Sequence, residues 1–213
     1  MINNLKFDDY GKLLSIDYNN GNDNWTIKVK SHFSVMKSKT DDSFAGKILE
    51  NYREKYEESI NDANKYYDSK KEILDNFINN TTKVESSFDY VQIFYPSNER
   101  RKDLLTRFSK KYVTDTNDYS DFFKKHKDTS IVGLEYEEAK KIFYFKAPTI
   151  DKPVKLIHIV DDTISKGFTI SIFLDNLVKN NIIDINTIIS ATIIYNNYGS
   201  SLPKINLNDF KNR

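Results

Sequence analysis

Apolar and polar positions recur with two different periods along this chain, and each change of period marks a change of element. Trp25, Ile27 and Val29 alternate with Thr26, Lys28 and Lys30, the period of a half-buried strand. Leu13, Ile16 and Tyr18 come before them. The run Asn19-Asn20-Gly21-Asn22-Asp23-Asn24 lies between and is a strong turn signal, so residues 1 to 39 predict a hairpin. Trp25, the one tryptophan, reads as a packing anchor rather than a base-stacking platform. From Phe44 the period lengthens. Phe44, Ile48, Tyr52, Tyr56, Ile60, Ala63 and Tyr67, then Leu74, Phe77 and Ile78, predict a long amphipathic helix or two shorter ones. Thr40-Asp41-Asp42-Ser43 supplies caps at its start, and Asn79-Asn80 marks its end. The polar face, dense in Lys and Glu, reads as solvated. The aromatic stripe reads as core, or alternatively as a homodimer surface.

Three short apolar runs follow: Phe88 to Tyr95, Leu156 to Val160 and Thr187 to Tyr195. Each has the composition of a buried strand. Pro96-Ser97-Asn98 breaks the first, and Glu99-Arg100-Arg101-Lys102 then opens a helix with Leu104, Leu105, Phe108 and Tyr112 on one face. The second and third runs enclose an amphipathic stretch, Ile170 to Lys179, with Ile170, Phe173, Leu174, Leu177 and Val178 inward. Residues 113 to 153 are less regular. Asp115 to Asp118 is turn-like, Phe122 and Phe123 would dock a short helix, and Glu135 to Phe145 predicts a helix with Ala139, Ile142 and Phe143 inward. Strands alternating with helices predict an α/β fold: a mainly parallel sheet flanked by helices, with an N-terminal hairpin plus long helix. The expected division is an extension or cap over residues 1–87 and a core over 88–213.

Composition narrows the chemistry. Among 213 residues, 32 basic side chains face 31 acidic ones, so no overall basic field points to nucleic acid. The absence of cysteine removes disulfides, thiolate catalysis and Cys-based zinc sites, and fits a reducing compartment. His32, His126 and His158 are too far apart in sequence to form a metal motif. His158 sits inside an apolar run and reads as a hydrogen-bonded core residue. Met1 to Leu14 is polar and acidic, unlike a signal peptide, and no apolar run is long enough to cross a bilayer, so a cytoplasmic protein without a membrane partner is expected. The chain has no G-x-x-x-x-G-K-[ST], no G-x-G-x-x-G and no G-x-S-x-G, which leaves an ATPase, a dinucleotide dehydrogenase and a serine hydrolase without support.

The chemistry concentrates in L-I-H-I-V-D-D-T-I-S-K-G-F-T, Leu156 to Thr169. Asp161 and Asp162 close a strand, and Thr163, Ile164, Ser165, Lys166, Gly167, Phe168 and Thr169 carry the chain into the next helix. Ligands of open α/β sheets bind beyond the carboxyl ends of strands. A loop feeding a helix N-terminus presents backbone amides and a positive dipole end to a phosphate. Two adjacent carboxylates suit sugar hydroxyls or a hard cation such as Mg²⁺. One sugar phosphate satisfies all of these groups together.

This stretch resembles the phosphoribosyl-diphosphate (PRPP) loop of the type I phosphoribosyltransferases: four apolar residues, two acids, two mostly apolar positions, then small or hydroxyl residues around a glycine or alanine. Val160-Asp161-Asp162, Ile164, Ser165, Gly167 and Thr169 match. Thr163 stands where an aliphatic residue is usual, and Lys166 where Ser, Thr, Ala or Arg is usual. Lys166 either adds charge to a phosphate site or marks a site in decay. With its flanking elements the resemblance extends to about Tyr195. The Pro-Ser after the first core strand and the basic helix behind it look most like the competence-associated (ComF-type) branch. The zinc-binding cysteines found at the start of that branch are missing here, so no zinc role is carried over.

The resemblance implies a type I phosphoribosyltransferase-like sheet and transfer of phosphoribose from PRPP to a nitrogenous acceptor, with release of pyrophosphate. Asp161 and Asp162 would be the catalytic acids and would hold Mg²⁺, directly or through water. Residues 163 to 169 would bind the 5′-phosphate. Ser97 falls on the loop that touches pyrophosphate in the family, and Arg100 or Arg101 reads either as a bidentate donor to the same anion or as ordinary surface charge. Residues 113 to 153 lie where a mobile cover would, and Tyr195, Asn196, Asn197 and Tyr198 lie where a loop would meet a base. A second expectation is a non-catalytic sensor or regulator on the same fold. It would bind a sugar phosphate or nucleotide and act through a protein or nucleic-acid partner, in competence or defence.

Overall fold

The computed structural model describes residues 12–34, 87–96, 99–126, 131, 133–164, 167–196 and 205–206. All of the long amphipathic stretch expected from Phe44 lies outside these residues, as do Ser97, Ser165 and Lys166.

Six strands form one mixed sheet, ordered β3 (Tyr90–Ile93), β6 (Leu156–Asp161), β7 (Ile188–Asn196), β2 (Asn24–Ser34), β1 (Lys12–Asn19) and β8 (Ile205–Asn206). β3, β6, β7 and β2 run parallel, with Gln92 opposite Ile159 and Asp161 opposite Ile193. β1 returns antiparallel beside β2, and β8 runs parallel to β1. The fold is therefore α/β with mostly parallel strands, and the first two strands belong to the same sheet as the later ones. The β1–β2 turn is held by its own asparagines. Asn20 Oδ1 accepts from the amides of Asn22 and Asp23 at 2.9 and 2.8 Å, and Gly21 adopts φ +104°, a left-handed value open to glycine.

The sheet has two differently furnished faces. On one, Ile157 and Ile159 of β6, Ile27 and Val29 of β2 and Tyr90 of β3 join a core built around α3 (Phe168–Lys179). This helix is apolar on most of its surface, and Phe173, Leu174 and Leu177 are fully buried. It ends cleanly. Asn181 takes a left-handed φ of 57°, its amide donates to Val178 O, and the Ile182 amide donates to Leu177 O, so the last carbonyls are satisfied. On the other face, α1 (Glu99–Ser109) and the turn after it bury Leu105, Phe108 and Tyr112 against β6.

The irregular segment between β3 and β6 forms a small unit of its own: a 3₁₀ turn (Ser120–Phe122), β4 (Phe123–Lys125), α2 (Tyr136–Lys140) and β5 (Phe143–Phe145). The helix predicted over 135–145 stops at Lys140. The aromatic run Phe143–Phe145 instead pairs antiparallel with β4, and Phe143 stacks on Phe123 at 4.9 Å. Pairing with a distant strand overrides a helical period that the local residues also fit. Phe123 docks the unit on Phe94 and Phe173, and the edge of β3 bonds through Val91 to Asn117 and Tyr119.

Candidate functional site

The parallel strands bring their carboxyl ends to one edge, and β6 delivers Asp161 there as its last residue. Period two places Asp161 on the α3 face, below the edge, and it is only 8% exposed. Asp161 Oδ1 accepts the amide of Asp162 at 2.7 Å. Burial, reinforced by the neighbouring carboxylate of Asp162, pushes the Asp161 carboxyl well above its usual range. Its bond from the Asp162 amide and the positive charge of Lys125 act the other way without cancelling the rise. Asp162 is half-buried and sits nearer the surface.

The chain then turns into α3. Ile164 plugs into the core. The Thr163 hydroxyl is buried with no hydrogen-bond partner among the described residues, at a position where an apolar side chain would leave nothing unsatisfied. Gly167 caps α3 with φ +75°, a left-handed backbone that brings the chain sharply into the helix. The Phe168 side chain turns inward and is buried beside Tyr136, so it does not cover the turn. Helix geometry leaves the amides of a first turn without intrahelical acceptors.

Asp161, Asp162, Thr163, Ile164, Gly167, Phe168 and Thr169 are therefore gathered at one sheet edge. Arg100 and Arg101 occupy the first turn of α1, which follows β3 at that edge, while their side chains lie outside the described atoms. The backbone of Tyr195 and Asn196 ends β7 at the same edge, beyond Ile193, the partner of Asp161. Asn197 and Tyr198 lie outside the described residues.

Two residues enter the neighbourhood that sequence reasoning did not find. Lys125 reaches it from β4 on the face of that strand shared with Phe123, and the signal was an in-out alternation, Phe123-Lys124-Lys125, too short to read as a strand. Tyr136 reaches α3 from α2, and no local pattern announces it.

His158 is the other buried ionisable group on β6. It lies on the α1 face, with Nδ1 2.8 Å from Ser190 Oγ and Nε2 3.1 Å from Thr192 Oγ1. Phe88 and Tyr112 stack against the ring at 4.4 and 4.2 Å, and burial lowers its pKa to about 3. It is a neutral core residue.

Among the described residues no group of three or more His, Asp or Glu side chains is arranged to hold a metal, and no helix is long and apolar enough to cross a membrane. No protein-family model matches the chain, and no curated protein matches it either.

Proposed function

We propose that this edge binds a phosphorylated pentose, and that the protein transfers phosphoribose from PRPP to a nitrogenous acceptor with release of pyrophosphate. One observation carries the reading. An acid pair at the carboxyl end of a parallel strand runs through a left-handed glycine into the head of a buried helix. Carboxylates for hydroxyls and amides for phosphate then lie a few residues apart.

The residues would divide the work by their burial. Asp162, nearer the surface, would meet the ribose hydroxyls and help hold Mg²⁺. Asp161, where burial disfavours charge, suits a hydrogen bond to a ribose hydroxyl better than direct metal ligation. Bound Mg²⁺ would supply positive charge to the departing pyrophosphate. The first-turn amides of α3 would orient the 5′-phosphate, and Arg100 and Arg101 would face the pyrophosphate from the head of α1. Holding charge complementary to the developing ribose cation and its leaving group is the catalytic contribution.

Calorimetry tests this directly. The double variant Asp161→Asn/Asp162→Asn should keep its fold by circular dichroism and lose PRPP binding in the presence of Mg²⁺. Unchanged affinity refutes the assignment. The burial of Asp161 also favours a second reading, a sensor that binds PRPP or a nucleotide without turnover, because a protonated acid gives a developing cation less support. Pyrophosphate release across a panel of bases separates the two: silence with retained binding selects the sensor.

A further inference from the structure

Among the described residues α3 begins without a side-chain cap and without an acid in its first turn, so contacts from other elements bear on how its head is oriented. Phe168, Ser171 and Asp175 lie three and four residues apart and form one stripe along the helix. Tyr136 meets all three. Its ring stands edge-on to Phe168 at 5.4 Å and 84°, its hydroxyl donates to Asp175 Oδ2 at 2.6 Å, and it lies 3.3 Å from Ser171 Oγ. The other oxygen of Asp175 accepts from the Tyr18 hydroxyl of β1 at 2.5 Å. Burial raises both phenols above their ordinary pKa, which keeps them protonated as donors. Tyr136 opens α2, whose first turn is closed by reciprocal bonds between Glu135 and Glu138, and Ala139 pins that turn in the core.

We propose that Tyr136 is a positioning residue for the turn at 167–169, a proposal that rests on reading that turn as the phosphate site. Contacts at 168, 171 and 175 span two helical turns and fix how far α3 is rotated about its axis. That rotation sets where the first-turn amides point. Tyr18 bonds the same carboxylate lower on the helix, at Asp175, seven residues past Phe168, so it steadies α3 away from its head. The segment expected to be a mobile cover would then have a fixed part, which braces the turn from the side.

Tyr136→Phe and Tyr18→Phe separate these roles, because each removes one hydroxyl from Asp175 and keeps its ring. Two measurements on the full chain are needed: backbone amide NMR shifts of Gly167, Phe168 and Thr169 without ligand, and PRPP affinity with Mg²⁺ by calorimetry. Tyr136→Phe should move those amide shifts and weaken PRPP binding about 3- to 10-fold. Tyr18→Phe should lower the melting temperature comparably, leave the three amides in place and keep affinity within about twofold. Ser171→Ala should shift the amides in the same direction, by less. If the amides stay put in Tyr136→Phe, or move equally in both tyrosine variants, the positioning role is overturned. If they move only in Tyr136→Phe while the wild-type chain gives no PRPP heat, the brace stands and the phosphate reading falls.

Discussion

The two faces of β6 treat their buried polar groups in opposite ways. His158 faces α1 and Asp161, three residues on, faces α3. Both are nearly inaccessible. His158 has a partner at each ring nitrogen and the rings of Phe88 and Tyr112 packed against it, and burial favours its neutral form. Asp161 accepts the Asp162 amide and sits beside a second acid and Lys125, and its burial opposes its ionisation. A polar group that is fully satisfied belongs to the scaffold. One held in an environment that opposes its charge is a candidate for work, because a ligand can relieve what the protein leaves unrelieved. The contrast teaches that burial alone does not separate structural from functional ionisable groups; the completeness of their partners does.

The largest effect expected from this contrast is acid sensitivity. The pKa of His158 falls from 6.5 to about 3 on folding, so the unfolded chain binds the proton more readily. Its contribution to stability is complete above pH 6.5 and is lost as pH drops toward 3, at about 1.4 kcal/mol per unit. Over the whole window this amounts to on the order of 5 kcal/mol. Chemical denaturation at a series of pH values should show the wild type losing that much more than His158→Gln. Parallel curves would mean that the ring is already solvated and that the contrast with Asp161 is false.

Asp161 should behave with the opposite sign. Its folded pKa lies above the ordinary value of 3.8, so stability falls as pH rises above that value and levels off beyond the folded pKa. Asp161→Asn removes this penalty. At pH 7 the variant should be more stable than the wild type by about 0.5–2 kcal/mol, the usual scale of a stabilising change at a functional position. The gain should vanish below about pH 4, where the carboxyl is protonated in both states. Thermal melts at both pH values check this. A loss of stability at pH 7 would make Asp161 a scaffold residue like His158.

These assignments were only partly legible in the sequence. β6 and α3 were, because a branched apolar run between Lys155 and an acid pair is a strand with a polar end, and Ile170, Phe173, Leu174 and Leu177 keep a helical period. So was an α/β sheet of mostly parallel strands, since branched runs alternate with amphipathic ones. Strand β5 was not, because Ala139, Ile142 and Phe143 fit a helix and only pairing with β4 excludes it. The depth of Asp161 was also invisible, since a carboxylate after a strand reads as exposed until the turn behind it is seen to fold Ile164 into the core. Tyr18, Tyr136 and Asp175 meet across 157 and 39 residues of chain, and nothing local records such a meeting.

The smallest effect tests how the His158 network is wired. Thr192 Oγ1 lies 3.3 Å from the Tyr112 hydroxyl, to which it can donate only if its own oxygen accepts from His158 Nε2–H. In that arrangement Nδ1 accepts from Ser190, at 2.8 Å the shorter of the two ring contacts. The opposite tautomer has Nδ1–H donate to Ser190, which donates its own proton to Ile157 O at 3.3 Å, and Thr192 then donates to Nε2 and no longer to Tyr112. Each arrangement makes one bond that the other lacks, to Tyr112 in the first and to Ile157 O in the second, and the 2.8 Å Ser190 contact, the length of an O–H donor's bond, favours the first. Tyr112→Phe keeps the ring on His158 and removes only the terminal acceptor, so it should cost about 0.5–1 kcal/mol. The imidazole ¹⁵N shifts of the wild type should show protonated Nε2. A neutral Tyr112→Phe together with protonated Nδ1 would select the other wiring, and His158 would remain uncharged with a partner at each nitrogen in either case. Asp161, on the far face of the strand, should keep its pH dependence throughout, which is what separates a fault in one network from a fault in the sheet.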